Sequence, residues 1–375
     1  MSLAKPVVVR EVQTRRDLST FVRFPWQIYR GNPYWVPPLI SDVKKILDCQ
    51  KNPFFLHSQA EYFLAERDGR TVGRIAAIVN DNHNQFHHEK TGFFGFFECV
   101  NDQEVANALF GAAASWLRSK GMDIMRGPMN PSTNDTIGLL LDAYDRPPLI
   151  MMTYNPPYYV ELVNRFGMAK VMDVYAYWMD ATQPLPEKLI RVTERVRKKE
   201  GLAFRSINMK EFWAEVDRIH QIYNKAWSYN WGFVPMTTEE FHHLAKDLKA
   251  VVDPDLAFIA EMQGQPVGFC LTLPDFNQAL HKINGRLLPF GIFKLLHYAR
   301  RINQARVITM GVIREYQKRG IDSLFYLETY RRAVAKGYKG GEFSWVLENN
   351  TMMRRTAEMM GGRIYKTYRI YDYKL

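Results

Sequence analysis

Cysteine is scarce: only Cys49, Cys99 and Cys270 occur in 375 residues, an odd number set far apart. That excludes a disulfide framework and fits a reducing cytoplasm, the expected location. No apolar run reaches the roughly 18–20 residues of a membrane-spanning helix. The opening MSLAKPVVVR lacks the long apolar core of a signal peptide. There is no Gly-x-Gly-x-x-Gly or Walker loop, and no credible Ser-His-Asp or Cys-His arrangement. Cys/His finger spacing, an RNP signature and a long Lys/Arg tract are also missing, so no DNA partner is expected.

What is present is globular: 47% hydrophobic and 24% charged residues. The length exceeds one ordinary core, so two domains are expected. The net charge of +11 suits either a polyanionic partner or a solvated basic surface.

The most informative stretch is ITMGVIREYQKRGIDSLFYL, Ile308 to Leu327. An apolar β-rich run from Val307 to Ile313 leads into a polar, basic turn, Arg314 to Gly320. Apolar residues at helical spacing follow from Ile321. A glycine and consecutive N–H groups at a helix start can seat a phosphate, and Lys318 and Arg319 add positive charge. The bland alternative is an ordinary water-facing junction.

Gln317-Lys318-Arg319-Gly320-Ile321-Asp322 resembles the Q/R-x-x-G-x-G/A motif of the GCN5-related N-acetyltransferase (GNAT) superfamily. The next pieces resemble it in order: the strand Gly341 to Leu347, the Asn-led helix from Asn350 to Met360, then Gly361-Gly362 and a last strand. The resemblance covers roughly the C-terminal half. It implies acetyl-CoA, or another acyl-CoA, as co-substrate, with no metal. Gln317, Lys318, Arg319, Gly320, Ile321, Asp322 and Ser323 would hold the pyrophosphate. Backbone N–H groups of Val312 and Ile313 would hold the pantetheine and polarise the thioester, and Asn350 would contact the pantetheine or a water. The thioester would lie where the strands of Val307–Ile313 and Gly341–Leu347 splay apart, open to attack by a small-molecule or peptide amine.

Two positions depart from the pattern. Asp322 stands where Gly or Ala is usual, and it would either repel a pyrophosphate or cap the helix itself. Ala357 stands where the superfamily places its general-acid Tyr. Tyr365 or Tyr368 would then supply the proton. Glu348, Glu315 or Glu342 would take the proton of the amine, against the plainer reading of each as an exposed or paired carboxylate.

The N-terminal half repeats the strand-helix-hairpin order without a phosphate turn. After the strand Thr91 to Val100 the loop has no glycine or basic residue, and Asp102 and Glu104 occupy the first helical turn. Asn155 to Met168 resembles the later helix-and-Gly feature. Gly127-Pro-Met-Asn-Pro-Ser-Thr-Asn-Asp135 is either a polar pocket lining or a structural loop. DNHNQFHHE, Asp81 to Glu89, reads as a polar loop, with a metal site through His83 and His87 as the weaker alternative.

The expected fold is therefore α/β: two tandem GNAT-like domains, each a mixed, mostly antiparallel sheet flanked by helices. Residues 1–181 form a diverged domain lacking the pyrophosphate loop, 182–200 a linker and connecting helix, and 201–375 the candidate acyl-CoA domain. The aromatic loop Trp227 to Pro235 would border the acceptor site. The apolar and basic stretch Gly285 to Tyr298 reads as packing against the N-terminal domain, ahead of a lid or interfacial element. An N-acyltransferase is the leading function. A Fem-like aminoacyl-tRNA-dependent transferase would suit the basic charge, and a non-catalytic acyl-CoA-binding or regulatory module would suit the eroded motif.

Overall fold

The computed structural model describes residues 5–317 and 319–375. The chain divides into two compact units. The first runs to Asp173 and also takes in Ile283–Pro289 and Tyr368–Leu375. The second comprises Val174–Lys282 and Phe290–Thr367, and so includes the helix Glu187–Glu200. Each unit has a mixed, mostly antiparallel sheet flanked by helices. Among the described residues no helix is long and apolar enough to cross a membrane.

In the first unit the strands Val8–Glu11, Ser58–Arg67, Arg70–Asn80 and Thr91–Cys99 pair antiparallel in that order. Ile124–Gly127 then joins Thr91–Cys99 in parallel, and its other edge takes the Tyr371 to Lys374 part of the last strand. The helix Gln103–Ser119 places Val105, Leu109, Phe110, Ala113 and Leu117 on one face, all fully buried against Ile75, Ala77 and Phe94. Asp102 caps this helix by accepting the N–H groups of Glu104 and Val105. Arg67 binds Asp102 at 2.6 Å and Glu104 at 2.7 Å. The positive end of this helix dipole already faces two carboxylates of its own chain.

The parallel pairing stops at Phe93 and Arg126. Beyond it the short strands Met129–Asn130 and Thr136–Ile137 form a hairpin against the freed edge of Thr91–Cys99. Asn130 Oδ1 accepts the Phe96 N–H at 2.6 Å. A Cβ on Gly95 would lie 1.7 Å from the Met129 carbonyl oxygen, so the hairpin backbone can approach only because Gly95 has no side chain. Ser132 Oγ donates to Asp135 and accepts the Asn134 N–H. This run of turn residues is thus a structural loop.

One expectation changes here. Asp81–His87 is a helix, not a loop, because Asn80 caps it by accepting the His83 N–H. His83 is buried with its ring edge on Phe93, and its centroid lies 4.5 Å from that of His87. Burial lowers the His83 pKa to about 4, which keeps the ring neutral. Among the described residues no group of three or more His, Cys, Asp or Glu side chains is placed to hold a metal ion.

In the second unit the Val174 to Asp180 part of the strand Ala169–Asp180 pairs antiparallel with Gly340–Leu347. Gly340–Leu347 runs parallel to Gln304–Val312, which continues antiparallel through Gln265–Pro274 and Ala257–Met262 to Leu202–Ser206. One sheet face buries Val267, Met310 and Phe343 beneath Leu324, Phe325 and Leu327 of the helix Ile321–Ala335. On the other, Ile222 of the helix Phe212–Trp227 packs on Ile259 and Phe269.

Candidate active site

In the second unit the parallel pairing of Gln304–Val312 with Gly340–Leu347 runs only from Gln304 and Gly340 to Val307 and Phe343. A bulge follows at once: Leu271 faces Thr309 while Thr272 faces Val307, leaving Ile308 unpaired. The bulge bends the strand away from its parallel neighbour and opens the sheet edge. The Ile313 N–H is already committed to the Val267 carbonyl at 2.9 Å, so it cannot serve the gap as expected. Successive residues of a strand direct their N–H groups to opposite neighbours, so that of Val312 faces the opened side.

Beyond the strand, the 3-10 turn Arg314–Tyr316 leads to Gly320 at φ +78°, a conformation that favours glycine. Gly320 is the N-cap of Ile321–Ala335, and among the described residues no side chain makes an N-cap hydrogen bond there. Asp322 therefore does not cap it, contrary to one of the two alternatives. Its half-buried carboxyl is pushed above the ordinary carboxylate range by desolvation. Ile321 is buried in the core and anchors the turn. Ser323 is half-buried on the first helical turn. The Gln317 side chain donates to the Val312 carbonyl at 2.9 Å, bracing the turn against the strand. Arg319 is exposed, with its guanidinium 5.3 Å from the Tyr316 ring centroid. Lys318 lies outside the described residues.

Sequence reasoning missed one neighbour of this turn. A Cβ on Gly320 would meet Val196 at 3.3 Å, so the helix Glu187–Glu200 packs directly beneath it. Exposed Lys199, three residues after Val196, rises from the same helical face. The basic end of this helix thus sits beside the turn. Its local signal was only charge, and the contact depends on tertiary packing.

At the closed end of the gap, Arg306 and Glu342 are register partners, and both are fully buried. Arg306 Nε donates to Ser344 Oγ at 2.7 Å and lies 3.4 Å from Glu342. The Ser344 and Tyr365 hydroxyls both donate to Glu342, one to each carboxylate oxygen. Glu342 is thus a fixed acceptor, and Tyr365 is the hydroxyl it orients. Tyr365 also packs edge-on to Trp178.

The other candidates scatter. Tyr368 is buried in the first unit, paired opposite Leu140. Glu315 is exposed on the 3-10 turn, and Glu348 is half-buried just past the end of Gly340–Leu347. The Glu348 carbonyl accepts from Arg354. Asn350 caps the helix Thr351–Met359 by accepting the Met353 N–H at 3.1 Å. Ala357 is buried in the core, and its carbonyl accepts the Gly362 N–H.

At the open end, the Trp227 ring lies against Gly311, where a Cβ would approach it to 2.3 Å. Tyr229, largely exposed, stacks on the Arg314 guanidinium at 4.2 Å. The aromatic loop therefore reaches the turn that leads to Gly320.

No protein-family model matches the chain. Full-length relatives do. The chain is 38% identical over 368 residues to the "Bacterial ceramide synthase" of Caulobacter vibrioides, covering 96% of each. It is 36% identical over 372 residues to "Protein YghO" of Escherichia coli, covering 97% of this chain and 95% of that protein. Among solved structures, a "Tandem GNAT protein from the clavulanic acid biosynthesis pathway" superposes with a TM-score of 0.59 at 11% identity, covering 98% of both chains. At that identity the likeness carries the fold alone. The chain belongs to the family of the Caulobacter bacterial ceramide synthase and Escherichia coli Protein YghO, and it has the fold of the tandem GNAT protein.

Proposed function

We propose that this protein is an N-acyltransferase that moves a fatty acyl group from an acyl-CoA thioester to the primary amine of a long-chain amino alcohol. The observation that carries the reading is the parting of Gln304–Val312 from Gly340–Leu347 after Val307 and Phe343, beside an uncapped helix start. The acceptor class comes from the relative named as a bacterial ceramide synthase, since a ceramide is an amide of such an amino alcohol.

The residues divide the work as follows. Gly320, Ile321, Asp322 and Ser323 present backbone N–H groups to the pyrophosphate, with Lys318 and Arg319 supplying charge. The Val312 N–H polarises the thioester carbonyl. The amine nitrogen attacks that carbon, the C–N bond forms, and collapse breaks the C–S bond. Tyr365 turns its single O–H from Glu342 to the departing thiolate and gives up that proton, and the amine proton passes to Glu348 or to water, from which the tyrosinate is reprotonated.

The test is CoA release, read with a thiol reagent, together with mass detection of the amide. Long-chain amino alcohols should exceed their short homologues in kcat/KM by about 100-fold, since each buried methylene contributes about 0.8 kcal/mol. Equal rates with short polar amines would remove the acceptor assignment, and no CoA release with any amine would remove acyl transfer.

Asp322 gives a second check. Its carboxylate, once ionised, repels the pyrophosphate that Gly or Ala would admit. Asp322→Asn should therefore tighten CoA binding by about 5–10-fold at neutral pH in a calorimetric titration. The gap between variant and wild type should close as the pH falls through the raised Asp322 pKa, where the wild-type carboxyl becomes neutral. A gap that stays constant with pH would place Asp322 away from the phosphates.

A further inference from the structure

The helix Gly291–Ala299 and the residue before it turn apolar side chains outward. Phe290, Phe293 and Leu296 are 71%, 69% and 59% exposed. Their spacing of three places them along one face, while Ile292, Leu295, Tyr298 and Ala299 are half-buried on the other. The expectation that this stretch packs against the N-terminal domain does not hold at these three exposed side chains. A cluster of large exposed apolar groups at one place marks an interaction surface, where scattered ones would not.

The charge around them is one-sided. From Phe276 to Arg314 the chain has no Asp or Glu, and it carries Lys282, Arg286, Lys294, Arg300 and Arg301. In the second unit Lys282, Lys294, Arg300 and Arg301 are all exposed. Lys294 follows Phe293 directly, and Arg300 and Arg301 follow the last turn of the helix. Lys282 leans over the Tyr298 ring at 6.0 Å.

We propose that this helix docks the protein on an anionic lipid bilayer, with Phe290, Phe293 and Leu296 entering the acyl boundary and the cations lying among the headgroups. Apolar side chains on one face with Lys and Arg beside them are what an interfacial helix requires. The long aliphatic stems of Lys and Arg let their charges stay at headgroup level while the rings sit deeper. A second copy meeting this face through the same stretch is a poorer occupant, since it would bring the same cations against these and Phe276 to Arg314 has no carboxylate to meet them. The proposal deepens the acyl-transfer reading and rests on it for its purpose, because a bilayer is where a long-chain amine resides. Its geometry stands without that reading.

The test is co-sedimentation with extruded vesicles of phosphatidylcholine, with and without phosphatidylglycerol. The full chain should pellet with the anionic vesicles, and raising the salt about tenfold should release much of it. Phe293→Asp/Leu296→Asp should lose at least tenfold in binding, and Lys294→Glu/Arg300→Glu/Arg301→Glu should lose the preference for phosphatidylglycerol. Both variants should keep the wild-type melting temperature, since the altered side chains are exposed, and keep CoA release with a water-soluble amine. Wild type that stays in the supernatant overturns the proposal, as does a folded Phe293→Asp/Leu296→Asp variant that pellets equally. Vesicle binding that behaves as stated, in a protein that releases no CoA, would sustain the proposal and remove the acyl-transfer reading. A wild-type dimer made monomeric by the aspartates, with pelleting unchanged, would assign the surface to self-association instead.

Discussion

Glu342→Gln is expected to lower kcat by about 100-fold, the lower end of what a positioned proton donor contributes, and to destabilise the fold by about 3–5 kcal/mol. The stability loss follows from burial. Arg306 is 2% exposed and Glu342 fully buried, so a neutral amide leaves a guanidinium in the interior without its counter-charge. The activity loss follows from Tyr365, whose hydroxyl is oriented by that carboxylate. Tyr365→Phe separates the two effects, because it keeps the Arg306–Glu342 pair and removes only the hydroxyl. We expect a smaller stability loss than in Glu342→Gln, about 1–3 kcal/mol for the buried carboxylate oxygen that loses its donor, and an unchanged KM for acyl-CoA, while kcat falls about 100-fold. An unchanged kcat in Tyr365→Phe would end the acid role of Tyr365 and leave the cluster a structural one.

Gly95→Ala should be the most damaging single methyl group in the first unit. The added Cβ would lie 1.7 Å from the Met129 carbonyl oxygen, a backbone atom that cannot swing away as a side-chain end can. Either the hairpin of Met129–Asn130 and Thr136–Ile137 leaves the strand edge or the strand itself shifts. Either route loses the Asn130–Phe96 hydrogen bond and costs about 4 kcal/mol or more, in the rare tail of single substitutions. Gly111→Ala is the matched control. Gly111 lies inside the helix Gln103–Ser119 with nothing within 4 Å of its Cβ position. There alanine should stabilise by about 1 kcal/mol, the helix-propensity difference. Denaturant melts of the two variants should move in opposite directions, and a Gly95→Ala midpoint near wild type would show that the hairpin can yield.

The contrast between the two units explains what was legible in the sequence. Helix starts, strand runs and the turn at Gly320 are local, and their residues carry the signal: Ile321 on the apolar face, Gly320 where φ is positive, Asp102 and Glu104 where a phosphate would sit. Two features were not local. The Gly127 to Asp135 run offered turn residues that could equally have lined a pocket, and only its placement against Gly95 shows how it is held. Arg306 and Glu342 lie 36 residues apart in sequence and meet because the register of two parallel strands aligns them. Nothing within either strand's own pattern says so, and Glu342 alone read as one carboxylate among three. The Ile313 N–H was misjudged for the same reason, since its partner Val267 lies on another strand. The exposed face of Gly291–Ala299 was visible as apolar and basic composition, but a composition does not say which side chains the rest of the unit will cover.

Membership of Tyr368–Leu375 in the first unit has a consequence for how the protein is made. The strand Ile124–Gly127 needs Tyr371 to Lys374 as its antiparallel neighbour. Nearly 200 residues separate Asp173 from Tyr368 in the chain. At about 5–20 residues per second on the ribosome, that interval is roughly 10–40 s. Through it the nascent first unit carries an open sheet edge, a template for pairing with another chain. Its final folding step therefore waits until Tyr371 to Lys374 has been made, and newly made protein should depend on chaperone cover more than a chain whose first half closes on its own residues.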